Sequence, residues 1–195
     1  MLIGISSAQG QGKSTVLSSL SERGYKVINS QTSRKILDEW GTNLSEIESN
    51  PEMRMRFQEE VYNRHVQLIA PYANSSEIYF VERTFSDIFS YTVVSLGLYN
   101  EFNEWLNAYY NKCKEAQSQF TAVCILSGLN INDMDGVRSI NKHFSNVISN
   151  TIRHFTYAMR EGEVTDIIEL SMPDHRNRIE TIRSYVESKY LSRRG

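Results

Sequence analysis

The first twenty residues constrain the fold more than any other stretch of the chain. Met1 to Ser6 is short and apolar, and it runs directly into Ser7-Ala8-Gln9-Gly10-Gln11-Gly12-Lys13-Ser14-Thr15, after which Val16, Leu17 and Leu20 fall at helical spacing. This reads as strand, glycine-bearing loop, helix. Gly10 and Gly12 let the backbone approach a ligand closely, and successive N–H groups can ring an anion. The helix beginning near Lys13 points its positive end at the same place.

The rest of the chain repeats the alternation. Tyr25–Ile28 predicts a second strand and residues 32–40 a helix ending at Gly41. Ser45 and Glu48 stand at capping-box spacing, and Asn50-Pro51 reads as an N-cap with proline in the first helical position, opening a helix to about Ile69. Glu77–Val81 is the third strand, followed by helices over Phe85–Leu96 and Glu101–Ala116. Thr121–Leu126 is the fourth, apolar throughout and so buried on both faces. A polar stretch, residues 127–139, is the candidate lid. It precedes a helix with Phe144, Ile148, Ile152 and Phe155 at three- and four-residue steps. Ile167, Ile168 and Leu170 mark a fifth strand, and Pro173-Asp174 opens a last helix. Strands alternating with helices imply an α/β fold, a mostly parallel sheet covered on both faces.

Composition narrows the class. A chain of 195 residues suits one domain, 1–195. Twenty-one basic against 23 acidic side chains give a net charge of −2, so no global field draws the chain to nucleic acid or anionic membrane. No apolar run reaches the roughly 18 residues of a spanning helix. The N-terminus lacks the basic start of a signal peptide, so the mature chain is expected to begin at Met1. Cys113 and Cys124 match neither a zinc site nor a disulfide framework, and His65, His143, His154 and His175 show no ligand spacing. A reducing cytoplasm is the expected location.

The loop matches the Walker A pattern except that Ser7 occupies the place of its first glycine. In that pattern Gln9, Gly10, Gln11, Gly12, Lys13, Ser14 and Thr15 cradle ATP. Lys13 reaches the β- and γ-phosphates and the Ser14 hydroxyl completes a Mg²⁺ shell. The only Asn-Lys pair, Asn141-Lys142, is followed by His143-Phe144, which argues against a GTPase. A AAA-type motor would want a longer chain and an acidic pair ending a strand, whereas here the third strand ends Val81-Glu82-Arg83-Thr84. Parallel strands place ligands at their carboxyl ends, so Glu82 and Arg83 should emerge beside the loop. Arg83 can form paired hydrogen bonds to phosphate oxygens, and Glu82 can hold a Mg²⁺-bound water or accept a proton. The alternative is an inert ion pair at a strand end.

The stretch Phe80-Val81-Glu82-Arg83-Thr84-Phe85-Ser86-Asp87 resembles the Asp/Glu-Arg-Ser element of the P-loop deoxynucleoside and nucleoside monophosphate kinase superfamily. The resemblance extends to its small phage and bacterial branch of nicotinamide-riboside-kinase-like type, through Arg56-Phe57-Gln58-Glu59-Glu60 and Asp135-Gly136-Val137-Arg138-Ser139. It implies a three-layer P-loop kinase fold with a five-stranded parallel sheet and a short arginine-bearing lid. It also implies Lys13, Glu82, Arg83 and Arg138 as catalytic residues, Ser14 and Glu82 at the metal, and Arg34, Arg83 and Asp87 towards the acceptor. Gln31 stands where the deoxynucleoside kinases carry a catalytic glutamate. A phosphate acceptor is already ionised and needs clamping more than deprotonation.

The reading is an ATP- and Mg-dependent phosphotransferase acting on a small nucleotide, first a deoxynucleoside monophosphate. The rivals are a deoxynucleoside kinase, a kinase for a modified nucleotide within DNA, which the net charge does not favour, and a non-catalytic ATP-binding switch. A homodimer stays open. Trp40, Trp105, Tyr109 and Tyr110 are either core or a base platform, with core favoured. Arg176 and Arg178 are either solvated or beside the adenine or phosphates.

Overall fold

Five short runs become strands, the central ones because they bury both faces and β2 and β5 as partly exposed edges: β1 (Leu2–Ser6), β2 (Lys26–Ile28), β3 (Tyr79–Glu82), β4 (Phe120–Leu126) and β5 (Asp166–Leu170). The computed structural model describes residues 1–30, 32–129, 142–160 and 165–191. The strands pair in parallel in the order β2-β3-β1-β4-β5. Between them run α1 (Lys13–Glu22), α2 (Thr32–Trp40), α3 (Leu44–Ser49), α4 (Pro51–Ile69), α5 (Phe85–Leu96), α6 (Asn103–Gln117), α7 (Lys142–Ala158) and α8 (His175–Leu191). The expected five-stranded parallel sheet and its helical covering are both present. Among the described residues no helix is long and apolar enough to cross a membrane.

From Ala122 onward the two-residue period of β4 divides the core, with Phe120 joining one side across a register shift opposite Leu2 and Ile3. Phe120, Val123 and Ile125 face α4, α5 and α6, whereas Ala122, Cys124 and Leu126 face α1 and α8. β1 is buried along its whole length, between β3 and β4. The chain leaves β1 for β2 on one side and leaves β3 for β4 on the other. The order therefore reverses beside β1, where an open parallel sheet forms its ligand crevice.

Capping explains where several helices begin. Asn50 accepts from Glu52 N at 2.9 Å and Met53 N at 3.2 Å, with Pro51 following, as its sequence position predicts. The Ser45–Glu48 box is not used. Asn43 caps α3 instead, accepting from Glu46 N at 3.0 Å, because the helix starts one residue before Ser45.

Gly4 sets how closely α5 approaches the sheet. A Cβ there would lie 2.2 Å from Thr84 Cγ2 and 3.3 Å from Phe120 Cδ1. Only glycine lets the start of α5 rest directly on β1. Gly4→Ala is expected to destabilise the fold by about 1–3 kcal/mol, the range for overpacking a filled core, read as a lowered urea midpoint at unchanged slope.

Candidate active site

The loop after β1 has the backbone its glycines allow. Gly10 and Gly12 are left-handed, at φ 73° and 79°, and Gly12 is the N-cap of α1. Ser7 has no positive φ, so a side chain is tolerated where the Walker pattern carries its first glycine. Two alternate carbonyls of the loop are held from outside. Ser145 on α7 donates its hydroxyl to Gln9 O at 3.1 Å, and Arg178 on α8 donates Nη1 to Gln11 O at 2.6 Å. In a trans peptide the C=O and the next N–H point opposite ways, so the N–H groups of Gly10 and Gly12 face away from these helices.

The two helices that begin at this edge differ sharply. α5 is closed: Thr84 and Asp87 form a capping box, and Gln117 Oε1 accepts from Phe85 N at 2.9 Å and Ser86 N at 3.2 Å. α1 has no side-chain cap and no acidic residue in its first turn. Among the described residues no N-cap side chain closes its positive end, which can therefore attract an anion. With the Lys13 ammonium and the exposed Ser14 and Thr15 on the same turn, this donor set fits a polyphosphate with its divalent cation.

β3 delivers the second half of the site. Glu82 pairs with Ile5 in register, and Arg83 N donates to Ile5 O at 3.1 Å, so both residues lie level with the mouth of the loop. Glu82 Oε1 lies 3.9 Å from Lys13 Nζ, with only 19% and 10% of the two side chains exposed, and Glu82 Oε2 accepts from Ser30 N at 3.1 Å. The carboxylate thus spans β3, the loop and the end of β2. Arg83 is the one non-glycine among the described residues with a left-handed backbone, φ 70°. Its guanidinium lies 5.1 Å over the Tyr91 ring, and the Tyr91 hydroxyl donates to Gln9 Oε1 at 3.3 Å. Burial works against the Arg83 charge, yet Tyr91, Asp87 and Glu82 together raise its pKa above the usual arginine value.

Beneath this turn lies His65 of α4, buried edge-on against Phe85 at 5.1 Å and close enough to Arg83 to feel its charge. Burial first, and then the Arg83 charge, hold its pKa down to about 4. Asp87 is also fully buried. Its carboxylate accepts from Ser6 Oγ at 2.5 Å, Ser7 N at 3.2 Å, Thr84 N at 2.9 Å and Thr84 Oγ1 at 2.8 Å. The residue expected towards the acceptor is thereby turned into the wall of the site, where it joins the start of the loop to the β3–α5 turn.

The structure brings Gln9, Gly10, Gln11, Gly12, Lys13, Ser14, Thr15, Glu82 and Arg83 to one edge of the sheet. Arg34 is exposed on the first turn of α2, beyond the end of β2 at that edge. Arg138, Gln31 and all of the proposed lid beyond Leu129 lie outside the described residues. Trp105 stacks on buried Tyr109 at 4.7 Å and Tyr110 packs against Phe89 and Phe155, so these aromatics belong to the core between α4, α5, α6 and α7. Both cysteines are buried and free, with the Cys124 thiol pushed up to about 12 by burial alone.

Sequence reasoning missed His65, Tyr91 as a link, Ser145, Gln117 and the clamping role of Asp87. Only Asp87 carried a signal: Thr84-Phe85-Ser86-Asp87 has capping-box spacing.

Two outcomes follow from this geometry. Asp87→Ala strands several buried donors and should cost about 3 kcal/mol or more in chemical denaturation. His65 is neutral in the native state and ionises near 6.5 when unfolded, so its contribution is complete above about pH 6.5. It is lost as pH falls towards 4, about 3 kcal/mol in all, and His65→Gln should flatten that part of the stability–pH curve.

Comparison with known proteins agrees with this architecture. A family model described as "AAA domain" matches residues 2–160. The fold is similar to deoxyadenosine kinase from M. mycoides, solved with bound dATP, at a TM-score of 0.63 and 16% identity over 96% of this chain and 100% of that one. It is likewise similar to thymidylate kinase from Candida albicans, at a TM-score of 0.61 and 13% identity over 97% and 92%. No curated protein sequence matches the chain. The family match narrows the argument against a AAA-type motor, because it assigns an AAA domain while the fold along the whole chain follows the two kinases. The chain belongs to the AAA-domain family and has the fold of the P-loop nucleoside and nucleotide kinase superfamily.

Proposed function

We propose that this protein is an ATP- and Mg²⁺-dependent phosphotransferase of the cytoplasm whose acceptor is a small nucleotide, first a deoxynucleoside monophosphate. The observation that carries the reading is the uncapped start of α1, with Lys13 on it, set beside Glu82 and Arg83 on the adjacent strand. Three charged side chains at an open helix N-terminus suit phosphoryl transfer, which asks a protein mainly for positioning and charge stabilisation. The likeness to kinases whose names specify a deoxynucleoside and a thymidylate supports the acceptor class.

Bound ATP would supply the phosphoryl group and Mg²⁺ would shield the negative charge of its phosphates. The N–H groups of Gly10, Gly12 and the first turn of α1 would hold the donor phosphates, with the Lys13 ammonium compensating their charge. Ser14 and Glu82 would hold the cation, the first directly and the second through water. Arg83, kept charged and oriented over Tyr91, would grip the acceptor. A monophosphate oxygen is ionised near neutral pH, so the acceptor needs that grip and no base. Arg34 and Arg138 are proposed to complete the acceptor clamp and to close over the donor.

A second reading, a nucleoside hydroxyl as acceptor, is favoured by one feature. Glu82 sits beside Lys13 in an ionised pair and could accept the hydroxyl proton.

Labelled ATP offered with nucleosides, nucleoside monophosphates and DNA separates these readings. The expected result is transfer to a deoxynucleoside monophosphate, lowered on the order of 10²–10³-fold in kcat by Lys13→Ala. Transfer confined to nucleosides or to DNA would replace the acceptor, and binding of ATP without transfer to any acceptor would leave a switch instead.

A further inference from the structure

Behind the phosphate loop stands a cation that no carboxylate of the described residues neutralises. Arg178 of α8 is 0% exposed. Its guanidinium donates to three backbone carbonyls: Nη1 to Gln11 at 2.6 Å, Nε to Met172 at 2.7 Å, and Nη2 to Ser127. These carbonyls belong to the loop after β1 and to the segments leaving β5 and β4. No carboxylate of the described residues pairs with it, and burial alone accounts for its lowered pKa. Its position is against the loop backbone itself, since a Cβ on Gly12 would lie 3.5 Å from Nη1.

Removing a guanidinium from water without an anionic partner is costly, and carbonyl dipoles offset only part of that cost. A charge left unneutralised next to an uncapped helix N-terminus adds to the positive potential at the loop mouth, where little solvent intervenes to screen it. The hydrogen bond to Gln11 O has a directional effect as well. It draws the carbonyl backward, so the Gly12 N–H of the same trans peptide points to the opposite side. The positive charge on that carbonyl polarises the peptide and strengthens the same N–H as a donor.

We propose that Arg178 is a positioning residue for the nucleotide polyphosphate, aiming the Gly12 N–H and supplying a buried positive charge that a bound triphosphate neutralises without touching it. This rests on the reading of the loop as a phosphate site. The role differs from a surface arginine beside the adenine, because the guanidinium is sealed behind the backbone by its three carbonyl partners.

Calorimetric titration of the folded protein with ATP and with inorganic tripolyphosphate tests it, using Arg178→Lys and Arg178→Gln. Both variants lose the threefold carbonyl contact and can keep one N–H donor for Gln11 O, but only the first keeps the charge. Arg178→Gln should lose about tenfold or more in tripolyphosphate affinity, and Arg178→Lys should stay within about threefold of wild type, as expected for one nearby unit charge at an effective dielectric near 20. Equal losses in both variants, or no loss in Arg178→Gln, would overturn the role of the charge. If Arg178→Gln does not fold, Arg178→Met removes the charge in its place: a loss of about tenfold or more beside a retained Arg178→Lys supports the proposal, and no loss, or a loss equal to that of Arg178→Lys, removes it. A wild-type protein that binds neither ligand would sink the phosphate-site reading and this proposal together, whereas binding that the variants leave unchanged sinks this proposal only.

Discussion

The carboxylate of Asp87 joins two parts of the chain that are far apart in sequence: the end of β1 and the start of the loop, through Ser6 Oγ and Ser7 N, and the β3–α5 turn, through Thr84. Each of these brings donors that burial would otherwise strand, and hydrogen bonds to a charged acceptor are about twice as strong as neutral ones. The phosphate loop and the Glu82-Arg83 turn are therefore mounted on one buried group. Gly4 makes the arrangement feasible, because a side chain there would collide with Thr84.

From that joint the two helix starts diverge in use. α5 is satisfied by Thr84, Asp87 and Gln117, so its positive end is consumed within the protein. α1 carries no side-chain cap among the described residues, and Ser145 and Arg178 hold the loop carbonyls from the far side. The unusual backbone of Arg83 lies between the two. A left-handed arginine costs on the order of 1 kcal/mol, and it persists where neighbours over-determine it. Here they are the bond to Ile5 O, the contact with His65 and the ring of Tyr91.

Local patterns carried much of this in the sequence. The strand-loop-helix of the first twenty residues, the apolar run of β4 and the Asn50-Pro51 cap all depend on neighbours within a few positions. Glu82 and Arg83 were placed correctly at the strand end because parallel topology alone requires it. The Ser45–Glu48 spacing misled, since Asn43 offered a cap two residues earlier and the helix took it. Asp87 shows the opposite error. Its capping-box spacing was legible, but a charged residue next to a functional motif invites a ligand role unless its burial is known.

By itself the sequence determined the α/β class, the phosphate loop and the residues that end the third strand, because propensity, periodicity and glycine spacing act over short distances. The tertiary structure decided which charges face the site and which serve its wall. Asp87 and Arg178 have the same local appearance as surface ionic residues, and only the pairing of β1 with β3 and the packing of α8 behind the loop remove them from water. Once buried, each must find partners, and for both residues one of those partners lies on the phosphate loop.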